Sequence, residues 1–453
     1  MAVGPVLIPC ALPPVALVLW SGEREWMPPL AVHFYGVGVS SLVAAAAAVV
    51  LTSAGVRAGD GRTVVVGSGF FVMAVLLAVH GLVTPGVLVG RNGVIALTGG
   101  ATLPVGAAVL ALSGVPRLVE RRAIPRVIAL SGCIAVAIVA VTTLGILEPS
   151  LVPPVPAAGS PGALGLLAIG ALLFAGLAGR AANTFLLTHR VADLAVVFGL
   201  SLLGVSLYAA LAVEPMYLGW WLGHGFELLG IALIGTSTAY DLRRGRGSQT
   251  LTGTLRAGDI VRAEEAFLGA RIRALMLRLA EKDVSTEEHT RRVASLAVEV
   301  GERLGLSAPR LRALATGALL HDIGKLSIPD EILRKPGALT DEEYDEIKQH
   351  AERGCALLGE LGGFDDAVKR LVAGHHERLD GTGYPHGLSA DQLDLETRVL
   401  AVCDVYDALV SPRVYRDAWS YHEAIEILRG AGFDQRCVDA LVKATAVPVA
   451  LAV

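Results

Sequence analysis

The sequence predicts an all-α protein, in which a bundle of about eight transmembrane helices precedes a cytoplasmic all-helical domain. Mean hydropathy is +0.58 and 18% of the 453 residues are charged, whereas soluble domains carry about 25%. Residues 1–250 hold 13 Lys and Arg with 9 Asp and Glu, and by difference the remainder holds 25 and 33. We therefore expect a membrane region at 1–240, a basic juxtamembrane segment with a connecting helix at 241–285, and a soluble core at 286–446.

Eight apolar stretches are long enough to cross a membrane, because a span needs about 20 such residues. The first is the weakest, since prolines interrupt it, and seven spans are the alternative count. The stretches are 3–20, 30–52, 63–83, 93–114, 127–147, 162–179, 192–212 and 217–239.

Arginines in the short loops predict the orientation of this region, because cytoplasmic loops carry an excess of Lys and Arg. Most arginines fall in alternate loops, which lie on one side of the membrane, and the loops of the other side hold only Arg24 and Arg91. The chain after residue 240 leaves on the arginine-rich side. We expect a multi-pass protein of the cell membrane with its C-terminal domain in the cytoplasm. The arginines in the alternate loops are Arg57, Arg62, Arg117, Arg121, Arg122, Arg126, Arg180, Arg190, Arg243, Arg244 and Arg246.

Three histidines of the predicted spans, His33, His80 and His224, fall at one depth near the side opposite the arginines, with Glu227 one turn from His224. Ionisable groups inside a membrane are functional candidates, and three imidazoles could hold a metal or a haem. The simpler interpretation, which we favour here, is that they are solvated or hydrogen-bonded beside neighbouring tryptophans.

Apolar residues recur at helical spacing between 256 and 282. This pattern fits a connecting helix in a homodimer, and somewhat better the first core helix of the soluble domain. The acidic soluble part argues against nucleic-acid binding. Further helices are expected at 286–304, 308–322, 328–333, 341–358, 365–377, 396–409 and 420–429.

Seven of the eleven histidines lie in the soluble part, several beside acidic residues or each other. His321-Asp322 ends an apolar helix, and His375-His376 form a second pair. Asp404 lies within an apolar helical run, where an unpaired carboxylate would be costly. Imidazoles and carboxylates gathered on helices are the ligands expected for Fe, Mn or Zn. The group therefore predicts a metal site, although one histidine alone would be uninformative.

An ordered set of motifs runs through the soluble part. It consists of His289, His321-Asp322-Ile-Gly-Lys325, His350, His375-His376-Glu377, Asp380-Gly-Thr-Gly-Tyr384-Pro385 and Asp404. These motifs resemble the HD-GYP family of phosphodiesterases over roughly residues 260–445, and flanking similarity extends through Ile328-Pro329, the Lys335 segment and the 406–416 segment. The resemblance implies a helical domain that hydrolyses cyclic di-GMP to linear pGpG, and in some members further to GMP, at a site holding two iron or manganese ions.

The resemblance also implies which residues hold each metal. Two cations about 3.5–4 Å apart can generate a bridging hydroxide and stabilise charge on the attacked phosphate. Asp322 as the bridge, together with Lys325, is therefore the catalytic candidate. One metal would take His289, His321, Asp322 and Asp404, and the other would take Asp322, His350, His375 and His376.

Substrate contacts are expected from three cationic residues. Lys325 follows His321 by four residues and shares its face if the helix continues, so it could contact the phosphate or the leaving oxygen. Arg413 and Arg416 could hold the other phosphate by charge-assisted hydrogen bonds.

The glycine-rich loop around Tyr384 would by itself be read as a tight turn. The resemblance implies that Gly383-Tyr384-Pro385 shapes the guanine pocket and can meet diguanylate cyclase domains, with Tyr384 as a ligand contact. Glu377 and Asp380 are expected either to orient the histidines from behind or to act as caps. Some family members bind a third metal through a Glu where this chain has Ser285, so we expect two metals and pGpG as the main product.

Three functional classes are consistent with these features. The first is a cyclic-di-GMP phosphodiesterase regulated by its membrane region, which is a candidate sensor. The second is a cyclic-di-GMP receptor without turnover, and the complete ligand set argues against it. The third is an HD phosphohydrolase for another cyclic dinucleotide, against which the complete loop argues. A transporter with an attached regulatory domain is a minor alternative.

Overall fold

A computed structural model describes residues 3–22, 24–90, 92–152, 156–243, 257–283, 286–412, 418–430 and 432–445. These residues are mostly helical, and their only β-structure is a set of isolated bridges. The predicted all-α class is therefore confirmed. The chain forms two compact units, one N-terminal and one C-terminal.

Among its described residues, the N-terminal unit contains eight helices long and apolar enough to cross a membrane, the number that the hydropathy pattern predicted. A four-residue helix, α5, lies between two of them. The helices are α1 Gly4–Ser21, α2 Leu30–Ala58, α3 Gly61–Leu82, α4 Val94–Ala111, α5 Pro116–Val119, α6 Ile124–Leu147, α7 Pro161–Thr188, α8 Val191–Ala212 and α9 Leu218–Arg243.

Small residues allow the central helices of this unit to approach closely, as in other membrane helix pairs. α3 is buried along most of its length. A Cβ atom on Gly230 of α9 would lie 2.8 Å from the Gly199 carbonyl oxygen of α8. Side chains at these positions would push the two helices apart.

The C-terminal unit consists of eleven α-helices within its described residues. They are α10 Ala257–Phe267, α11 Ala270–Lys282, α12 Thr286–Arg303, α13 Ala308–Leu320, α14 Asp330–Leu333, α15 Asp341–Lys348, α16 His350–Leu361, α17 Asp366–Gly374, α18 Leu395–Val410, α19 Tyr421–Gly430 and α20 Gln435–Thr445.

Several helices of this unit differ from the sequence-based expectation, including the one expected at 365–377, which ends at Gly374. The helix expected at 308–322 ends at Leu320, and a 3₁₀ turn follows at Ile323–Ser327. The helix expected at 341–358 divides at Gln349, so that His350 begins α16. α20 was not predicted. Gly324 of the 3₁₀ turn lies directly against α16, because a Cβ on it would clash with the His350 carbonyl oxygen.

The segment 257–282 belongs to the core of the C-terminal unit. It forms two helices, and Ile260 and Val261 of α10 lie in one apolar cluster with Ile272 and Leu279 of α11. The same cluster includes buried residues of α12, α13, α17 and α18. This burial is what a first core helix would show.

Candidate metal centre

All seven predicted metal ligands meet at one place in the C-terminal unit. Most lie at helix ends, where side chains can converge without crossing a helix. Helix α12 contributes His289, the segment after α13 contributes His321 and Asp322, α16 begins with His350, the segment after α17 contributes His375 and His376, and α18 contributes Asp404.

His289, His321 and Asp322 form the first group, with one donor atom of each within 4.8 Å of the others. His289 Nε2 lies 3.1 Å from Asp404 Oδ1. His321 Nε2 lies 3.4 Å from Asp322 Oδ2 and 3.8 Å from Asp404 Oδ1. The two carboxylates therefore face the same pair of imidazoles.

His350, His375 and His376 form the second group, again within 4.8 Å of one another. The Nε2 atoms of His350 and His375 are 3.2 Å apart. His350 Nε2 lies 3.5 Å from Asp322 Oδ1, whereas the other oxygen of Asp322 faces His321. Asp322 thus reaches both groups, as a bridging ligand must.

Backbone hydrogen bonds fix the tautomer of three imidazoles. The Nδ1 atoms of His321, His350 and His375 lie 2.8, 2.6 and 2.8 Å, respectively, from the carbonyl oxygen of the residue three positions earlier. Because a carbonyl only accepts, Nδ1 carries the proton, so that when the ring is neutral its lone pair lies on Nε2, which points inward. His321 Nε2 is buried without a hydrogen bond among the described residues. Such an orphaned lone pair among carboxylates suits a cation.

His289 is oriented by Asp407, a residue that the sequence analysis missed. His289 Nδ1 lies 2.7 Å from Asp407 Oδ2. Arg292 donates two further hydrogen bonds to the same carboxylate, at 2.8 and 2.9 Å. Asp407 follows Asp404 by three residues on α18 and so lies on the same helical face, which is the signal that could have revealed it.

The electrostatics of the site favour a bound cation. Burial alone would raise the pKa of Asp322, but Lys325 and His321 hold it well below its usual range. Burial likewise opposes a charged His289, yet Asp404 and Asp407 raise its pKa to about 9. Burial lowers the pKa of His376 to about 4. The carboxylates are therefore ionised while an inner imidazole stays neutral.

Lys325 lies beside the bridging aspartate. Its Nζ is 2.8 Å from Asp322 Oδ2 and 3.6 Å from Asp283 Oδ2. Although burial favours neutral lysine, Asp322 and Asp283 raise the pKa of Lys325, which keeps it charged. Lys325 was expected to share a face with His321 only if the helix continues. That condition is not met, because α13 ends at Leu320 and Lys325 lies in the 3₁₀ turn Ile323–Ser327.

Tyr384 lies over the second group. Its ring is 4.6 Å from that of His376, with the planes tilted by 32°. The loop that carries it is pressed against the chain, because a Cβ on Gly383 would lie 2.5 Å from Glu377 Cα and 2.6 Å from the His376 carbonyl oxygen.

The suggestion that Glu377 and Asp380 orient the histidines is not what the described contacts show. Glu377 is buried and accepts hydrogen bonds from the backbone amides of His386 and Leu388, at 2.7 and 2.9 Å. Asp380 accepts from the amide and hydroxyl of Thr382. Both carboxylates close the loop, which corresponds to the capping alternative.

Two predicted substrate contacts, Arg413 and Arg416, lie outside the described residues, and so does Ser285.

Residues 273–436 match the family model described as an HD domain. The all-helical fold and the converging histidines and aspartates of the C-terminal unit agree with this match, and we call the matched part the HD domain after that model. Relatives with this similarity include proteins named cyclic di-GMP phosphodiesterases, as the motifs predicted.

One such relative is the cyclic di-GMP phosphodiesterase response regulator RpfG of Xanthomonas campestris, 42% identical over 184 residues, or 39% of this chain and 49% of that protein. A cyclic di-GMP phosphodiesterase of Pseudomonas aeruginosa is 38% identical over 198 residues, covering 43% and 48%. A 3'3'-cGAMP-specific phosphodiesterase of Vibrio cholerae is 40% identical over 148 residues, covering 33% and 34%. The chain thus spans about half or less of the length of these relatives.

Proposed function

We propose that this chain is a membrane-bound, metal-dependent phosphodiesterase that hydrolyses cyclic di-GMP to pGpG. The observation that carries the proposal is the convergence of seven donors around Asp322, with imidazole lone pairs directed inward. The similarity to cyclic di-GMP phosphodiesterases over the same residues supports the substrate.

The donor set suits two divalent ions, with iron or manganese as the best match to mixed imidazole and carboxylate ligands. His289, His321 and Asp404 would hold one ion and His350, His375 and His376 the other, with Asp322 shared. When bound, two such ions activate water and neutralise charge that develops on the phosphate.

Residues of the chain itself would position the substrate. Lys325, kept protonated by Asp322 and Asp283, can donate a hydrogen bond to a phosphate oxygen. Tyr384, held against His376, can contact a guanine base at the rim. Arg413 and Arg416 are proposed to hold the second phosphate.

The membrane region is proposed to anchor the domain and regulate it. The arginine-rich loops support an orientation with the HD domain in the cytoplasm, where cyclic dinucleotides act. A homodimer and contacts of the Tyr384 loop with diguanylate cyclase domains remain predictions of the sequence.

A related cyclic dinucleotide is the second candidate substrate, because one relative is named as specific for 3'3'-cGAMP. The test uses the full chain in detergent, loaded with Mn or Fe without oxygen, and compares kcat/KM for the two dinucleotides. We expect cyclic di-GMP to be preferred at least tenfold and to yield pGpG. A preference for 3'3'-cGAMP would instead identify that dinucleotide as the substrate.

The matched variants separate site chemistry from general damage. His321→Ala with Asp322→Ala should lower kcat at least a thousandfold, because both metal groups lose a donor. His422→Gln is the control, since His422 is 86% exposed on α19, and it should keep full activity. Tight binding of cyclic di-GMP without turnover by the metal-loaded wild type would instead indicate a receptor.

A further inference from the structure

Three imidazoles converge inside the N-terminal unit, far along the chain from the HD domain. His33 of α2, His80 of α3 and His224 of α9 each place one nitrogen within 4.8 Å of the others. The Nε2 atoms of His33 and His80 are 3.2 Å apart. Two nitrogens on a tetrahedral zinc, each about 2.0–2.1 Å from it, would be separated by roughly 3.3 Å.

The outer nitrogens of these rings are already engaged. His80 Nδ1 lies 2.9 Å from the Ile95 carbonyl oxygen, and His224 Nδ1 lies 3.1 Å from that of Trp220. Each of these Nδ1 atoms must carry the proton, so the lone pair of each neutral ring lies on Nε2, and that of His80 faces His33. His33 Nδ1 contacts the Thr84 hydroxyl at 3.3 Å. The HD site has the same arrangement, in which a hydrogen bond on the outer Nδ1 atom leaves the lone pair on the inner Nε2 atom.

A buried carboxylate shares the cavity of these imidazoles. The cavity has a volume of about 400 Å³ and is lined by all three histidines, Trp220 and Glu227. Glu227 is 6% exposed, and none of the described residues gives its carboxylate a hydrogen bond or an ion pair. A carboxylate without a partner in an apolar bundle is costly unless it is protonated or a cation compensates it.

Aromatic contacts hold the rings in place. The Trp220 ring stacks on His33 with centroids 5.3 Å apart and planes 21° apart, and its centroid lies 4.2 Å from that of His224. The imidazoles therefore cannot rotate freely away from their common centre.

We propose that His33, His80 and His224 form a second metal site, which binds a zinc or copper ion, with Glu227 as the anionic group of its cavity. Neutral imidazoles select these metals over Mg²⁺ and Ca²⁺, which prefer oxygen ligands. The site is independent of the proposed phosphodiesterase, because it shares no residue with the HD domain. It gives the membrane region a ligand to respond to.

The test measures zinc and copper bound by the full chain in detergent, each metal supplied alone after chelator treatment. The background carries His321→Ala and His375→Ala, one change in each group of the HD site. Adding His80→Gln should remove one ion per chain, or weaken its binding at least tenfold. Adding His422→Gln should remove none, since that histidine is exposed on α19.

A second variant guards against misfolding. If His80→Gln elutes as an aggregate, His224→Gln is measured instead. Glu227→Gln leaves the three histidine nitrogens in place and should weaken the binding of the ion. Equal metal content with and without these changes would overturn the proposal. A Soret band in the purified protein that disappears with His80→Gln would also overturn it, because the occupant would then be haem.

Discussion

Hydrogen bonds on the outer nitrogens orient single imidazoles of the HD site. The Nδ1 proton of His321 is directed to a backbone carbonyl, and among the described residues its buried Nε2 has no hydrogen bond. Asp407 accepts the Nδ1 proton of His289, as a backbone carbonyl accepts that of His321. The ligands could be proposed from the sequence because their motifs occur in the order of the family. Asp407 was missed although it lies in the 406–416 segment of similarity, because the resemblance gave it no role. Its spacing from Asp404 places it on the same face.

Replacing Asp407 tests this outer contact. Asp407→Ala should weaken metal binding by about 10–100-fold, the usual effect of losing such a partner, because His289 Nδ1 would lose its acceptor. Asp407→Asn should retain most of the affinity, since its amide oxygen can still accept. The measurement is a metal titration of each purified variant.

Asp439→Asn is the control for that titration, because Asp439 forms an exposed pair with Arg429 on the surface of α20. Equal affinity for Asp407→Ala and wild type would show that the orientation of His289 is set elsewhere.

At the scale of elements, helix positions followed from apolar spacing, but several ends did not. The pattern at 341–358 contains no strong breaker, so the division at Gln349 could not be read from it. The turn that follows α13 contains Gly324, which lies against the backbone of α16. That contact joins residues distant in sequence, and periodicity carries no information about it.

Gly324→Ala tests this close approach. The added Cβ would meet the His350 carbonyl oxygen and the Gly354 nitrogen, so α16 must shift and carry His350 with it. Overpacking of this kind costs about 1–3 kcal/mol, and we expect lower thermal stability together with weaker metal binding. Gly337→Ala is the control, because nothing lies within 4 Å of its Cβ. Unchanged melting and metal affinity in Gly324→Ala would contradict the packing account.

The connection between α18 and α20 predicts a pH dependence of stability. Asp434 accepts a hydrogen bond from Arg398 at 3.0 Å, and hydrogen bonds from Arg436 and Arg398 lower its pKa to about 2. The unfolded carboxyl has a pKa of about 3.9, so the stabilisation is complete above that pH and is lost as the pH falls toward 2. Asp434→Asn should melt at a lower temperature at pH 6, and its difference from wild type should narrow toward pH 3. A difference independent of pH would exclude this linkage.

At the scale of the whole molecule, the uneven charge and hydropathy predicted the two parts of the chain. Eight apolar helices and an all-helical HD domain agree with that division. The convergence of His33, His80 and His224 could only be suspected from sequence, because the relative rotation of α2, α3 and α9 decides whether their side chains meet. The hydrogen-bonded alternative favoured from sequence is partly correct, since each ring does have such a bond on its outer nitrogen.

Metal removal should destabilise the HD domain. A ligand that binds only the folded state stabilises it by an amount that grows with its concentration relative to Kd, about 2.7 kcal/mol at a hundredfold excess. Chelation should therefore lower the melting temperature of the wild-type chain, and Mn²⁺ should restore it. The His321→Ala, Asp322→Ala variant should show a much smaller shift. An equal change in melting temperature in both proteins would show that the stabilising metal binds outside this site.

The most direct test of the central claim is hydrolysis of cyclic di-GMP measured together with metal content. The metal content of the His321→Ala, His375→Ala protein is subtracted from that of each protein, so that ions bound elsewhere are not counted. Wild type should hold two ions per chain and release pGpG. His289→Ala and His375→Ala, one from each group, should each lose about one ion and at least a hundredfold in kcat. Wild type that holds both ions without hydrolysing cyclic di-GMP, or either variant that keeps full turnover, would contradict a dinuclear phosphodiesterase.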